Sequence, residues 1–180
     1  MIEERTVGPD LGADSFKRGM LAMLVGSLLV IALMIASYGR FGVYATVALV
    51  INVAMLLGIM AALNTTLTLP GIAGFVLTIG AAVDANVLIN ERIREERKRG
   101  RRVVAAVENG YKEASRAIYD ANVTNFIAGV LLFLFGSGPI RGFAVVLIIG
   151  LFTSVFTAVT LTRMWVADWL RKAKPKDIVL

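Results

Sequence analysis

The sequence predicts an all-α membrane protein, a bundle of five membrane-spanning helices. Hydrophobic residues make up 57% of the 180 residues, charged residues only 18%, and the mean hydropathy is +0.75. Four stretches free of Asp, Glu, Lys and Arg are 21, 43, 20 and 21 residues long, at 19–39, 41–83, 121–140 and 142–162. About 20 helical residues cross a bilayer core of about 30 Å, so the longest stretch reaches into two spans.

The first three spans are predicted over 20–38, 43–63 and 69–90. Gly-Arg-Phe-Gly at 39–42 is so short a turn that it predicts an antiparallel helix pair. Polar residues at 64–66 interrupt the long apolar stretch, and Pro70 fits the first turn of the third helix, where a missing N–H costs nothing.

The fourth and fifth spans are predicted over 118–135 and 143–161, joined by a turn at 136–139. A charged loop is predicted over 91–117, and its apolar residues from 103 to 118 follow one helical face. This pattern predicts a helix lying on the membrane surface, which serves either as a solvated connector between two spans or as a regulatory or partner-docking segment. Residues 1–18 are assigned to the end of an external region, 19–170 to the membrane domain and 171–180 to a basic tail. So little chain lies outside the bilayer that a soluble enzyme is excluded.

The basic residues predict the orientation. With the N-terminus outside, four of the 19 basic residues (Arg5, Lys17, Arg18 and Arg141) lie outside and the other fifteen lie inside. Such a positive-inside bias, with an odd number of spans, places the N-terminus outside and the C-terminus in the cytoplasm. Because basic loops are usual beside membranes, the net charge of +6 reflects topology, and no nucleic-acid partner is expected.

Composition also limits the chemistry. The chain contains no cysteine and no histidine. Disulfides, thiolate metal sites and cysteine nucleophiles are therefore excluded, and the commonest proton shuttle is missing. We expect no metal and no cofactor, and any proton chemistry has to use carboxylates.

Asp84 is the one acidic residue well inside a predicted span. It precedes Glu91 by seven residues, which places it about 10 Å below the inner interface. A carboxylate at that depth costs about 2.5 to 3.5 kcal/mol unless a partner, water or a proton compensates it. Asp84 is therefore the candidate proton-translocation residue, and the alternative is a structural Asp held by hydrogen bonds from neighbouring helices.

Polar side chains in the spans are candidate supports for Asp84. They are Asn86 in the same helix and Asn52, Asn122, Asn125, Thr153 and Thr157 in other spans, although Asn in a span more often joins helices. Gly74, Thr78, Ala81, Ala82 and Ala85 form a stripe of small residues on the third helix. This stripe predicts close helix packing, and Asp84 beside it is expected to face the bundle interior.

Several motifs resemble the SecD family of bacterial protein-export membrane proteins. They are LPGIAG at 69–74, AVDANVLINERIREE at 82–96, DANVT at 120–124, RGFA at 141–144 and, at the start of the chain, EERTVGP at 3–9. The resemblance covers essentially the whole chain in order, and the motif around Asp84 is the most specific part.

The resemblance implies a fold like one half of a resistance-nodulation-division transporter in the bacterial inner membrane. It further implies a subunit that uses the proton motive force in late steps of preprotein translocation, with Asp84 on the proton pathway. The partners implied are SecF, the SecYEG channel, YajC, unfolded preprotein and the lipid bilayer. The family's first helix and periplasmic domain have no counterpart here, so the chain is expected to be a C-terminal portion with Met1 as an artificial start.

Three other functions remain as alternatives. A proton-coupled small-molecule exporter would share the architecture, and a passive membrane scaffold would tolerate the loss of Asp84. An intramembrane aspartyl protease needs two carboxylates in one site, and a single chain offers only one.

Overall fold

The computed structural model describes residues 9–65, 68–175 and 177–178, and all regular structure in these residues is helical. The elements are α1 (Pro9–Ala62), α2 (Leu69–Lys98), α3 (Val103–Phe135), α4 (Pro139–Val155), a π-helical segment (Phe156–Leu161) and α5 (Thr162–Ala173). The last three form one continuous helix. Most of the opening motif at 3–9 lies outside the described residues, and residues 9–18, assigned to the external region, begin α1.

Helix α1 folds back on itself at Gly39, whose φ of 51° and ψ of −120° are not helical. Met23 and Ile31 of the first arm pack on the core cluster that contains Leu49 and Leu56 of the second arm. A β-carbon on Gly42 would lie 2.2 Å from the carbonyl oxygen of Met34, so the reversal requires glycine there. The predicted antiparallel pair is therefore present.

Four helices in the described part of the chain, with α1 counted as one, are long and apolar enough to cross a membrane. The predicted number of spans was five. The difference lies in α1, because one non-helical residue separates the two predicted spans and the helix is continuous on either side of it.

The charged segment 91–117, predicted as a loop between two spans that contains an amphipathic helix, is helical over most of its length. Helix α2 runs on to Lys98 and α3 begins at Val103, so only four residues join them. A β-carbon on Gly110 would lie 2.8 Å from the backbone nitrogen of Ile93, so the two helices touch along their backbones. The amphipathic face from 103 to 118 is buried against protein, so the predicted membrane-surface helix is wrong.

Helix α2 is the central element and packs against α1, α3, α4 and the π-helical segment. Thr68 caps it, because its Oγ1 accepts a hydrogen bond of 3.2 Å from the Gly71 amide, and Pro70 stands in the first turn as predicted. Gly74 and Ala82 are buried, and a β-carbon on Gly74 would lie 3.2 Å from the Phe143 carbonyl oxygen. The small-residue stripe therefore does pack helices closely.

Candidate functional site

Asp84 lies on a face of α2 that points away from the bundle. Asp84 is exposed, and so are Leu77 and Gly80 on the same face of the helix. A β-carbon on Gly80 would meet no atom within 4 Å, so this face is open. Among the residues that the structure describes, no side chain forms an ion pair or hydrogen bond with the Asp84 carboxylate.

The expectation that Asp84 faces the bundle interior is wrong. Residues two apart on an α-helix point in directions about 200° apart. Ala82 and Asn86, on either side of Asp84, are both buried, so Asp84 has to point the other way. The carboxylate is therefore directed toward whatever lies next to this chain.

The candidate supporting residues do not gather around Asp84. Asn86 is buried and its Nδ2 donates 2.9 Å to the carbonyl of Ala82, one turn earlier in the same helix. Asn122 is half-buried and donates 2.7 Å to Ile118 in the same way. Asn125 is exposed. In the described part of the chain, hydrogen bonds connect none of these side chains to another.

Asn52 differs from the other candidate asparagines in its burial and hydrogen bonding. Its side chain is completely buried in the second arm of α1, and neither its Oδ1 nor its Nδ2 has a hydrogen-bond partner among the described residues. Leu49 and Leu56, on the same face of the helix, pack against Phe75 and Val146. Asn52 therefore lies in the core between α1, α2 and α4, where an unpaired amide is costly.

A group of buried hydroxyls lines the contact between α2 and α4, and sequence reasoning identified it only in part. Its members are Thr78, Thr153, Ser154 and Thr157. Each donates to a carbonyl in its own helix, at distances from 2.8 to 3.1 Å. The π-helical segment begins at Phe156, beside Thr157. Such segments often occur at functional sites, and the apolar sequence around this one carries no signal for it.

Glu96 is a buried acid that sequence reasoning also missed. Its side chain is 7% exposed, and it lies 2.6 Å from Arg99 Nη1 and 2.8 Å from Arg101 Nε. The first contact is an aligned hydrogen bond, whereas the second is an ion pair without hydrogen-bond alignment. The spacing of three residues between Glu96 and Arg99 was the available signal. Glu96 joins the ends of the turn between α2 and α3.

The described residues contain no group of three or more His, Cys, Asp or Glu side chains that could hold a metal ion. What the site offers is one carboxylate in the apolar part of α2, on an open helix face. Such a group binds or releases a proton, or pairs with a cation from a neighbouring subunit.

The chain matches the family described as "Protein export membrane protein SecD/SecF, C-terminal" over residues 1–172. The chain belongs to this SecD/SecF family. It is 53% identical to the protein translocase subunit SecD of Rhodobacter capsulatus over 179 residues, which are 99% of this chain and 32% of that protein. It is 47% identical to the protein translocase subunit SecDF of Brucella abortus over 178 residues, 99% of this chain and 24% of that protein.

The fold is likewise that of a SecDF membrane region. The crystal structure of SecDF from Thermus thermophilus, described as a translocon-associated membrane protein, matches with a TM-score of 0.88 and 39% identity over 94% of this chain and 24% of that chain. The chain spans about a third of the length of the curated SecD relatives that it matches. Family membership and the apolar helices make it a multi-pass membrane protein, and the predicted all-α membrane class is confirmed.

Proposed function

We propose that this chain is the membrane portion of a protein-export subunit that couples the proton motive force to late steps of preprotein translocation, with Asp84 as the proton-carrying group. The relatives are named protein translocase subunits, which supports the export role. No cofactor or enzymatic reaction is needed, since the proton gradient supplies the energy.

One observation carries the proposal. Asp84 is a lone carboxylate in the apolar part of α2, and it is exposed on an open face of the bundle. A permanently charged carboxylate facing lipid is unfavourable by about 2.5 to 3.5 kcal/mol, and a protonated or paired one is not. A carboxylate that alternates between a protonated state and a paired, charged state carries a proton.

The open face of α2 also supports a choice of partner. In SecDF relatives, one chain contains this region together with additional sequence that is more than three times as long. We propose that the second membrane half, SecF, covers the face with Leu77, Gly80 and Asp84 and supplies polar or cationic groups to the carboxylate. SecYEG, YajC and the unfolded preprotein are proposed as the wider set of partners.

The charge distribution supports a location in the bacterial inner membrane, with the N-terminal end of α1 on the periplasmic side. The turn between α2 and α3 contains Arg99, Arg101 and Arg102, whereas Arg141, inside the start of α4, is the one basic residue near the turn between α3 and α4. By the positive-inside rule, the turn between α2 and α3 and the C-terminus lie in the cytoplasm.

The test of the proton role uses the full-length protein with its membrane partners in inverted vesicles. We expect Asp84→Asn to assemble normally and to lose gradient-dependent export while ATP-driven export without a gradient is unchanged. The matched control is Asp168→Asn, which removes an exposed carboxylate paired with Lys172 outside the apolar spans. Normal gradient dependence in the Asp84→Asn protein, or tolerance of Asp84→Leu, would leave only the scaffold function.

The test of the partner surface uses the absence of natural cysteine. We expect a cysteine introduced at Gly80 to form a crosslink with SecF cysteines at membrane depth. A cysteine at Gly58, which is exposed on α1, is the control and should not crosslink. Crosslinking at Gly58 and not at Gly80 would place SecF on another face.

A further inference from the structure

The end of the bundle near the turn between α2 and α3 contains a recess rich in basic residues, here called the basic recess. Its larger part has a volume of about 490 Å³ and is lined by Arg94, Arg97 and Lys98. Its smaller part, of about 390 Å³, is lined by Gly39, Arg40, Phe41 and Trp169. Asp177 and Ile178 line both parts, so the two parts adjoin at these two residues of the C-terminal segment.

The basic side chains of the recess are held in place by the protein. Arg94 donates 2.7 Å to Glu91 and 3.2 Å to the Ser37 carbonyl, and its guanidinium lies 5.2 Å from the centre of the Tyr38 ring. Arg97 Nη1 donates 2.6 Å to the Arg101 carbonyl, and its Nη2 binds the carboxylate of Asp177, which also lines the recess. A guanidinium fixed on one side presents its other N–H groups as an anion site.

The chain's own C-terminal residues show what chemistry the recess accepts. The Asp177 carboxylate binds Arg97 Nη2, and this hydrogen bond lowers the pKa of Asp177, so the group is an anion. The next side chain, Ile178, packs against the core cluster that includes Phe41. The recess therefore holds a negative charge directly beside an aliphatic group. Asp177 is itself exposed, so it is a weak occupant that another anion can displace.

The recess lies where the apolar part of the bundle ends. After Asp84, the next charged residue of α2 is Glu91, one turn before Arg94. The Tyr38 hydroxyl donates 2.9 Å to Glu91, and Arg40 lies 5.9 Å from the centre of the Trp169 ring. Aromatic and basic residues together mark the depth of lipid headgroups.

We propose that the basic recess binds the headgroup of an anionic phospholipid and that Asp177 and Ile178 compete for the same site. Arg97 and Lys98 contact the phosphate, and the first carbons of an acyl chain run along Phe41 and Trp169. Basic pockets between membrane helices on the cytoplasmic side suit such headgroups, and the orientation proposed above places this one at the inner leaflet. The site is separate from Asp84 and does not depend on proton transfer.

Trp169 is a built-in probe for the test, because the chain contains only two tryptophans. Trp165→Phe leaves Trp169 as the only one. The full chain is reconstituted in bilayers that contain either phosphatidylglycerol or phosphatidylcholine brominated near the ester end of the acyl chain. We expect brominated phosphatidylglycerol to quench Trp169 at a severalfold lower mole fraction than brominated phosphatidylcholine.

Charge variants then assign the preference to named residues. Arg97→Gln and Lys98→Gln should each reduce the preference for phosphatidylglycerol by about fivefold. Asp177→Asn should increase it, because the competing carboxylate is gone. The matched control, Lys112→Gln with Arg116→Gln, removes two exposed basic residues of α3 outside the recess and should leave it unchanged.

Three results would overturn the proposal. They are equal quenching by the two lipids in the parent protein, an equal loss of preference in the control variant, and relief of quenching by millimolar inorganic phosphate. The last result would identify a site for free anions rather than for lipid.

Discussion

The side chain of Thr78 on α2 lies against the α-carbon of Gly150 on α4. A β-carbon built on Gly150 would be 2.2 Å from Thr78 Cγ2 and 2.4 Å from Thr78 Oγ1. Thr78 is buried, and its hydroxyl already donates 2.8 Å to the Gly74 carbonyl. The close approach of α2 and α4 at this point therefore requires glycine at position 150.

Substitution of Gly150 by alanine is expected to destabilise the bundle. The added methyl overpacks a filled contact, which costs about 1 to 3 kcal/mol. Thermal unfolding in detergent measures the effect as a lower Tm. Gly58→Ala is the control, because no atom lies within 4 Å of a β-carbon there, and alanine in a helix is favoured over glycine by about 0.5 to 1 kcal/mol. Equal Tm values for the two variants would contradict the packing described.

Because of the burial of Tyr111, we expect the folded state to lose stability at alkaline pH. Burial raises the pKa of Tyr111 well above its ordinary value near ~10, and its hydroxyl donates 2.9 Å to Thr162. The folded state therefore keeps the phenol neutral at pH values where the unfolded chain ionises. The resulting stability is fully present below pH ~10 and is lost as the pH rises toward the raised pKa.

Tyr111→Phe should accordingly have two effects. It should lower the free energy of unfolding at neutral pH by about 0.5 to 1.5 kcal/mol, because one buried hydrogen bond is lost. It should also flatten the fall in stability above pH ~10. Unfolding curves recorded at a series of pH values test both, with the exposed Tyr119→Phe as control. An unchanged alkaline slope in Tyr111→Phe would show that another group titrates there.

We expect the ion pairs of Glu96 to protect the turn between α2 and α3 from proteases. Removing its charge leaves Arg99 and Arg101 without the buried carboxylate that holds both ends of the turn. We expect trypsin to cleave Glu96→Gln at this turn severalfold faster than the parent protein. Glu108→Gln, at an exposed position of α3, should be cut at the parent rate. Identical cleavage rates in all three proteins would mean that the turn is held by other contacts.

Asn52 predicts a gain in stability on substitution. Leucine has the same branched shape and the same number of heavy atoms, and it removes a buried amide that has no partner among the described residues, so Asn52→Leu should raise Tm. We expect a gain of about 1 to 3 kcal/mol in the free energy of unfolding. Asn125→Leu, at an exposed position, should leave the unfolding transition in place. A lower Tm for Asn52→Leu would show that the amide is bonded in the membrane, for example to water.

The helices and their turns could be predicted because local chemistry decides them. Gly39 permits a reversal, Pro70 fits a first turn, and charge-free stretches of about 20 residues fit a bilayer. The placement of the amphipathic helix from 103 to 118 was predicted incorrectly for a physical reason. One apolar face packs equally well on lipid or on another helix, and tertiary contacts such as that between Gly110 and Ile93 distinguish the two.

The candidate site, too, could be predicted only in part. Asp84 could be found because a charge in a span is rare, and its direction could not be read from its neighbours in sequence. The small residues around it indicate packing, yet Ala82 and Ala85 face the bundle while Asp84 does not. The partners of Asn52 and Glu96 also depend on tertiary contacts, which a single sequence does not contain.

The open position of Asp84 has a consequence for biogenesis. On the proposed function, a newly inserted copy of the chain presents this carboxylate to the lipid until the proposed partner covers it. The penalty of about 2.5 to 3.5 kcal/mol then favours association with a subunit that offers polar groups at that depth. The same penalty gives an unassembled chain a physical feature that an assembled chain lacks.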